Sequence, residues 1–201
     1  MKKLLLITAL SVIVLASCKN DDTPNLKSGV IINGIEWAQC NVDKPGTFAA
    51  NPEDPGMFYQ FNRKVGWSAT GSLKNTDGGT IWNTSPLSGS KWLDKNNPCP
   101  AGWRLPTKAE FESLLNSSVK RTWDDGKKGM YFENAGNTDP EKRIFLHAAG
   151  ERDYTDGTLY LVDVHGCYWY NTREYMSITK NSSLTQSTGY TYGFSIRCVK
   201  K

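Results

Sequence analysis

The sequence predicts an α+β fold of antiparallel strands with few helices and long irregular loops. Three observations predict it. Only one segment has a clear helical period. Short β-branched and aromatic runs recur between turn residues. The composition, with 7 Trp, 9 Tyr and 18 Gly in 201 residues, suits strands and pinned loops better than a helical bundle.

Taken in order, the chain opens with Lys2 and Lys3, an apolar or small run over residues 4–15, then Ala16, Ser17 and Cys18. A charged start, a short apolar stretch and a small-residue exit have the layout of an export signal. The run is too short to span a bilayer as a helix, which takes about 20 residues. The stretch from Lys19 to Asn25 is polar and has no apolar periodicity, so it reads as a tether that cannot offset the entropy of ordering. The expected organisation is therefore a signal peptide over 1–17, a flexible tether over 18–27 and one domain over 28–201.

Inside the domain, Asn33-Gly34 separates two β-branched runs and predicts a two-residue hairpin over Val30 to Trp37. Residues 41–100 are dense in Gly, Pro, Asn and Asp, and the expected pins for so long an irregular stretch are Trp67, Trp82, Trp92 and a disulfide. Thr107-Lys108-Ala109-Glu110 is a capping box, and Phe111, Leu114 and Leu115 follow on one face, predicting a helix from about Lys108 to Ser117. Strands are expected over 144–148, 159–162, 167–170 and 175–179. A closing strand over 194–199 puts Phe194, Ile196 and Cys198 on one face and Arg197 on the other.

Cys40, Cys99, Cys167 and Cys198 form an even set in a chain expected outside the cytoplasm, so two disulfides are predicted, with three connectivities open. Metal binding is not expected: no two of these cysteines lie closer than 31 residues, and neither His147 nor His165 stands in a metal-type pair. Asp153, Asp156 and Asp163 lie close in sequence, but turn chemistry explains Asp156-Gly157 better than calcium ligation. The excess of 24 Lys and Arg over 20 Asp and Glu falls from four to two without Lys2 and Lys3, which is too balanced for a nucleic-acid partner.

Two resemblances add to this reading. Leu15-Ala16-Ser17-Cys18 resembles the lipobox of bacterial lipoproteins, which implies acylation at Cys18, a membrane partner and an outer-membrane location, and the following Lys-Asn-Asp-Asp resembles surface-export signals of Bacteroidota. Trp37-Ala38-Gln39-Cys40-Asn41-Val42, the segments Pro55 to Asn62 and Pro98 to Thr107, and Tyr192 to Val199 together resemble the Fibrobacter succinogenes major paralogous domain. That resemblance implies a C-type lectin-like fold, related also to the sulfatase-modifying-factor fold. It also implies a Cys99–Cys198 disulfide, which leaves Cys40 to pair with Cys167.

The function expected on this basis is a surface binding or adhesion module, with glycans or a surface protein as ligand and exposed Trp and Tyr as stacking platforms. No cofactor is expected and no individual contact residue is assigned. A structural subunit of a surface fibre or envelope complex is the alternative. An enzyme of the sulfatase-modifying-factor type is disfavoured: each cysteine has a structural partner to hand and none has a neighbour that would favour thiolate, while His147 and His165 read as packing or surface residues.

Overall fold

The computed structural model describes residues 29–201, so the expected signal peptide, the expected anchor at Cys18 and the expected tether lie outside the described residues. Fifteen short strands and one α-helix are described, which makes the fold mainly β. In chain order the strands are β1 (Val30–Ile32), β2 (Ile35–Trp37), β3 (Met57–Gln60), β4 (Gly66–Ser68) and β5 (Trp103–Arg104). Helix α1 (Lys108–Ser113) follows, then β6 (Val119–Asp124), β7 (Gly129–Asn134), β8 (Arg143–His147), β9 (Glu151–Arg152) and β10 (Leu159–Tyr160). The chain closes through β11 (Gly166–Trp169), β12 (Glu174–Thr179), β13 (Ser182–Ser187), β14 (Gly193–Phe194) and β15 (Val199–Lys200).

These strands form four small sheets, ordered β1-β2-β15-β5, β10-β9-β14-β3-β4, β11-β12-β13 and β6-β7-β8. The first hairpin is the expected one, with Asn33 at φ 50° and Gly34 at φ 81° in the turn. Val199 pairs with Trp37, so the last strand returns to the first hairpin. No helix among the described residues is long and apolar enough to cross a membrane.

The capping box is formed in full, with Thr107 Oγ1 accepting from the Glu110 amide and Glu110 accepting from the Thr107 amide. Arg104 adds a two-pronged ion pair to the same carboxylate, at 2.7 Å for the shorter contact. The helix is shorter than expected because the Leu114 and Leu115 amides bond back only three residues, tightening the chain into a turn. Phe111 and Leu114 are nonetheless fully buried, packed with Trp37 and Tyr170.

The closing strand differs in a more instructive way. Instead of one strand over 194–199, β14 pairs with β3 and β9, Ser195 bridges Tyr168, and β15 pairs with β2 and β5. One extended segment thus stitches three sheets together, and Arg197 falls in the gap between its two strands. Its guanidinium is fully buried and donates to Asn41 Oδ1, to the carbonyls of Ala38 (3.0 Å) and Phe145 (2.7 Å), and to that of Gln39.

The tryptophans pin the irregular stretch as expected. Trp67 and Trp82 pack ring against ring at 4.8 Å, and Trp92 packs on Phe61. Arg152 does the same by hydrogen bonding, reaching Ser68, Gly71 and Gly157 from β9.

Candidate functional site

The expected Cys99–Cys198 disulfide is present, with Cα atoms 6.1 Å apart, and fastens the end of the irregular stretch to the closing segment. The expected Cys40–Cys167 bond is not. Both are buried free thiols held by different partners. Cys40 sits where the charges of Arg197, Asp54 and Glu53 are felt, whereas Cys167 faces Glu151 and His165. A disulfide needs matched Cβ vectors at short range, and these two thiols serve separate parts of the structure.

Cys167 has a histidine beside it in space, and His165 joins a grouping of ligand-type side chains that spacing along the chain does not reveal. Cys167 Sγ lies 3.4 Å from Glu151 Oε2 and 3.7 Å from each ring nitrogen of His165. Glu151 Oε2 is 4.0 Å from His165 Nδ1. One ligand-capable atom from each residue lies within 4.8 Å of the others, the one such trio among the described residues.

Backbone geometry builds this cluster. Residues two apart on a strand share a face, so His165 and Cys167 flank Gly166 on the same side as β11 begins. A parallel bridge between Gly150 and Gly166 then sets Glu151 beside Cys167, closed by a 2.7 Å bond from the Gly150 amide to the His165 carbonyl. Only glycine fits at both bridge positions. A Cβ on Gly150, which has φ 81°, would meet the Tyr160 carbonyl at 2.2 Å, and one on Gly166 would meet the His147 carbonyl at 2.7 Å. The strand expected over 159–162 is cut short for the same reason. Leu161 (φ 56°) and Asp163 (φ 66°) turn the chain so that the Leu161 carbonyl receives the Val164 and His165 amides.

Cys167 is fully buried, and the Glu151 and His165 side chains keep 17% of their surface. Burial, reinforced by the Glu151 charge, raises the Cys167 thiol well above its ordinary range. Burial likewise raises the Glu151 carboxyl and lowers the His165 imidazole. The imidazole is therefore neutral at pH 7. Its Nε2 lies 2.6 Å from Ser177 Oγ, on the β12 residue paired with Cys167. Because Sγ is equidistant from both ring nitrogens, neither in-plane lone pair points at it. His165 is not aligned to take the thiol proton in this arrangement.

The same sheet face continues outward into a column of rings. With Gly193 paired to Arg152, the flanking Tyr192 and Phe194 share the opposite face with Glu151 and Asp153. Tyr192 stacks on Phe194 at 5.4 Å and 13°, and Phe194 packs on Trp169 at 4.6 Å. Towards solvent, Tyr154 stacks on Tyr190 at 4.4 Å and meets Tyr192 edge-on at 5.0 Å. Tyr190 is 57% exposed. Of these rings, Tyr154 and Tyr190 wall a shallow cleft of about 380 Å³ rimmed by Thr84, Pro86, Thr155 and Thr191.

Tryptophans do not supply an exposed platform, because six of the seven are buried and Trp123 is partly so. Asp153 and Asp156 spend an oxygen each on turn amides, of Thr155 and Thr158, as turn residues should. His147 packs against the Phe145 ring and lies 4.0 Å from the exposed Asp163. Sequence reasoning passed over Glu151, whose role arises through the glycine bridge. His165-Gly166-Cys167 was legible as two ligand-type side chains on one strand face, but cysteine spacing alone concealed it.

Against known proteins, the model of the Fibrobacter succinogenes major domain matches residues 23–200. No curated protein and no solved structure matches.

Proposed function

The chain belongs to the Fibrobacter succinogenes major domain family, and from that premise we propose that it is a lipid-anchored surface protein that binds carbohydrate in the Tyr154–Tyr190 cleft. The finer fold reading, a C-type lectin-like arrangement, is supported by the return of β15 to the first hairpin and by the disulfide into the closing segment. Anchorage through Cys18 would hold the domain at the outer membrane, facing outward.

One observation carries the carbohydrate reading: a mostly exposed aromatic ring, Tyr190, is held in place by stacking on Tyr154 rather than left free to rotate. A pre-ordered ring loses little rotamer entropy when a sugar face settles on it. On the rim the Thr84 hydroxyl can donate and accept, while those of Thr155 and Thr191, which already donate to Asp153 and to the Tyr154 carbonyl, can only accept. The volume lies in the range of small-ligand sites. Binding without turnover fits the Cys167 geometry, in which the thiol is buried and no base is aimed at it.

A glycan array probed with the intact protein tests this. Tyr190→Ala should weaken binding to the retained glycan about fivefold, the equivalent of about 1 kcal/mol of lost aromatic contact. Stability should fall by no more than about 1.5 kcal/mol, the worth of its stacking on Tyr154, because the ring is otherwise exposed. Absence of any bound glycan, or equal binding by the variant, would remove the reading.

A second reading, an assembly subunit, is favoured by one feature. Strand β13 is the edge of its sheet, six residues long, and Ser182–Ser187 contains no charge and no proline. Edge strands are ordinarily blunted by such residues, and an unblunted one is a surface for strand addition. Leu184, 54% exposed on this strand, is the place to test it. If the protein self-associates through this edge, Leu184→Lys should return it to a monomer in sedimentation. A monomeric parent protein at high concentration would exclude the reading.

A further inference from the structure

We propose that Glu151, His165 and Cys167 form a binding site for a single divalent cation of the zinc class, with the fourth coordination position left to water or an exogenous ligand.

The spacing fits. Zinc takes sulfur at about 2.3 Å and nitrogen or oxygen at about 2.0–2.2 Å in a tetrahedron, so its ligand atoms stand roughly 3.3–3.6 Å apart. Here the sulfur-to-oxygen, sulfur-to-nitrogen and nitrogen-to-oxygen separations are 3.4, 3.7 and 4.0 Å. Closing the trio on an ion takes shifts of a few tenths of an ångström and a turn of the His165 ring to aim Nδ1 inward.

The donor set fits as well. Thiolate and imidazole with one carboxylate select a borderline-soft ion over calcium or magnesium, which prefer oxygen alone. One ring nitrogen is already tethered: Nε2 engages the buried Ser177 hydroxyl at 2.6 Å, leaving Nδ1, 4.0 Å from Glu151 Oε2, as the nitrogen free to ligate. A partner on the non-ligating nitrogen is the regular outer-shell feature of metal-bound histidine. Glu151 and Cys167 lie on strands, and the two-glycine backbone bridge holds His165, which directly precedes β11, beside them. Coordination would form the metal–sulfur bond with release of the thiol proton to solvent, and no change of oxidation state is involved. The ion would then cross-link β9 to β11, a different tie from the Cys40–Cys167 disulfide expected from the sequence.

Cobalt(II) titration of the intact, anaerobic protein tests this, with Zn²⁺ as competitor. Saturation at one equivalent, with a thiolate-to-cobalt charge-transfer absorption that Zn²⁺ abolishes, is the expected result. Cys167→Ser should remove that absorption, whereas Cys40→Ser, which alters the other free thiol among the described residues, should leave it intact. Glu151→Gln and His165→Gln should each weaken binding by at least roughly tenfold, and Ser177→Ala by roughly tenfold with the absorption retained. If Cys167→Ser fails to fold, as judged by circular dichroism, the partly exposed Glu151 and His165 variants decide the matter. No thiolate absorption in the intact protein, an absorption lost with Cys40 rather than Cys167, or unchanged affinity in the Glu151 and His165 variants would overturn the proposal.

Discussion

Two regions of this molecule bury ionisable side chains, and they do so on opposite terms. Around Arg197 the guanidinium spends its donors on Asn41 and three backbone carbonyls, so a charge inside the protein is matched by fixed dipoles. Around Cys167 a thiol, an imidazole and a carboxylate converge with few hydrogen bonds among them. Burial disfavours the charged form of all three, and among the described residues no Lys or Arg offsets it at the thiol or the carboxyl. A buried polar group costs free energy unless it is paired. The first region meets that condition and reads as architecture. The second pairs its groups only with one another and with Ser177, with no cation to match them, as the proposed ion site would require.

The sharpest way to break this contrast is to cut the architecture. The Cys99–Cys198 bond closes a loop with a sequence separation of 99 residues, for which the chain-entropy treatment gives about 4.7 kcal/mol. Cys99→Ser with Cys198→Ser should lower the unfolding free energy by an amount of this order in denaturant titrations. A loss below about 1 kcal/mol would mean that the tryptophan pins, not the disulfide, hold the irregular stretch. Arg197→Met comes next. It fills similar volume but strands buried carbonyl acceptors and an Asn41 oxygen, and a loss of about 3 kcal/mol is expected. A neutral effect would show that the guanidinium is replaceable by packing, and the two regions would then be alike.

In the other region the sign should reverse. With chelator present, Glu151→Gln removes a partly buried carboxylate whose hydrogen-bonded neighbour is a thiol, and it keeps the side-chain volume. Stability should rise by about 0.5–1 kcal/mol, the familiar exchange of site competence for stability. A loss of stability would place Glu151 among the architectural residues and erase the distinction.

The sequence made the architecture more legible than the site, and the reasons are local. Asn33-Gly34 and Thr107-Lys108-Ala109-Glu110 each contain a complete stereochemical instruction within four residues, and both formed as read. Hairpin β6–β7 escaped notice because Lys120, Arg121 and Thr122 are all exposed, so no alternation marks the strand. Strand β13 is nearly all polar and left no apolar trace. Arg197 was placed on the face opposite Phe194, Ile196 and Cys198, but its burial was not legible. That follows from a break in pairing where one segment passes between sheets. The ligand trio depends on the Gly150–Gly166 bridge, a tertiary contact that spacing along the chain cannot express.

The smallest expected effect tests a residue between the two regions. His147 ends β8 close to the Arg197 acceptor Phe145, yet its Nδ1 is buried without a hydrogen-bond partner. Burial lowers its imidazole below the ordinary 6.5, opposed by the carboxylates of Asp163, Asp54 and Glu53. The unfolded chain therefore takes up the proton first as pH falls. Stability should decline with acidification from about 6.5 towards the lower folded-state value, and the whole penalty is in force below that value. His147→Gln should flatten this decline in unfolding curves recorded between neutral and mildly acidic pH. His165, also lowered by burial, adds a parallel contribution, so the slope should shrink rather than vanish. An unchanged slope would mean that the three carboxylates already compensate the burial, and His147 would then belong with Arg197 among the satisfied groups.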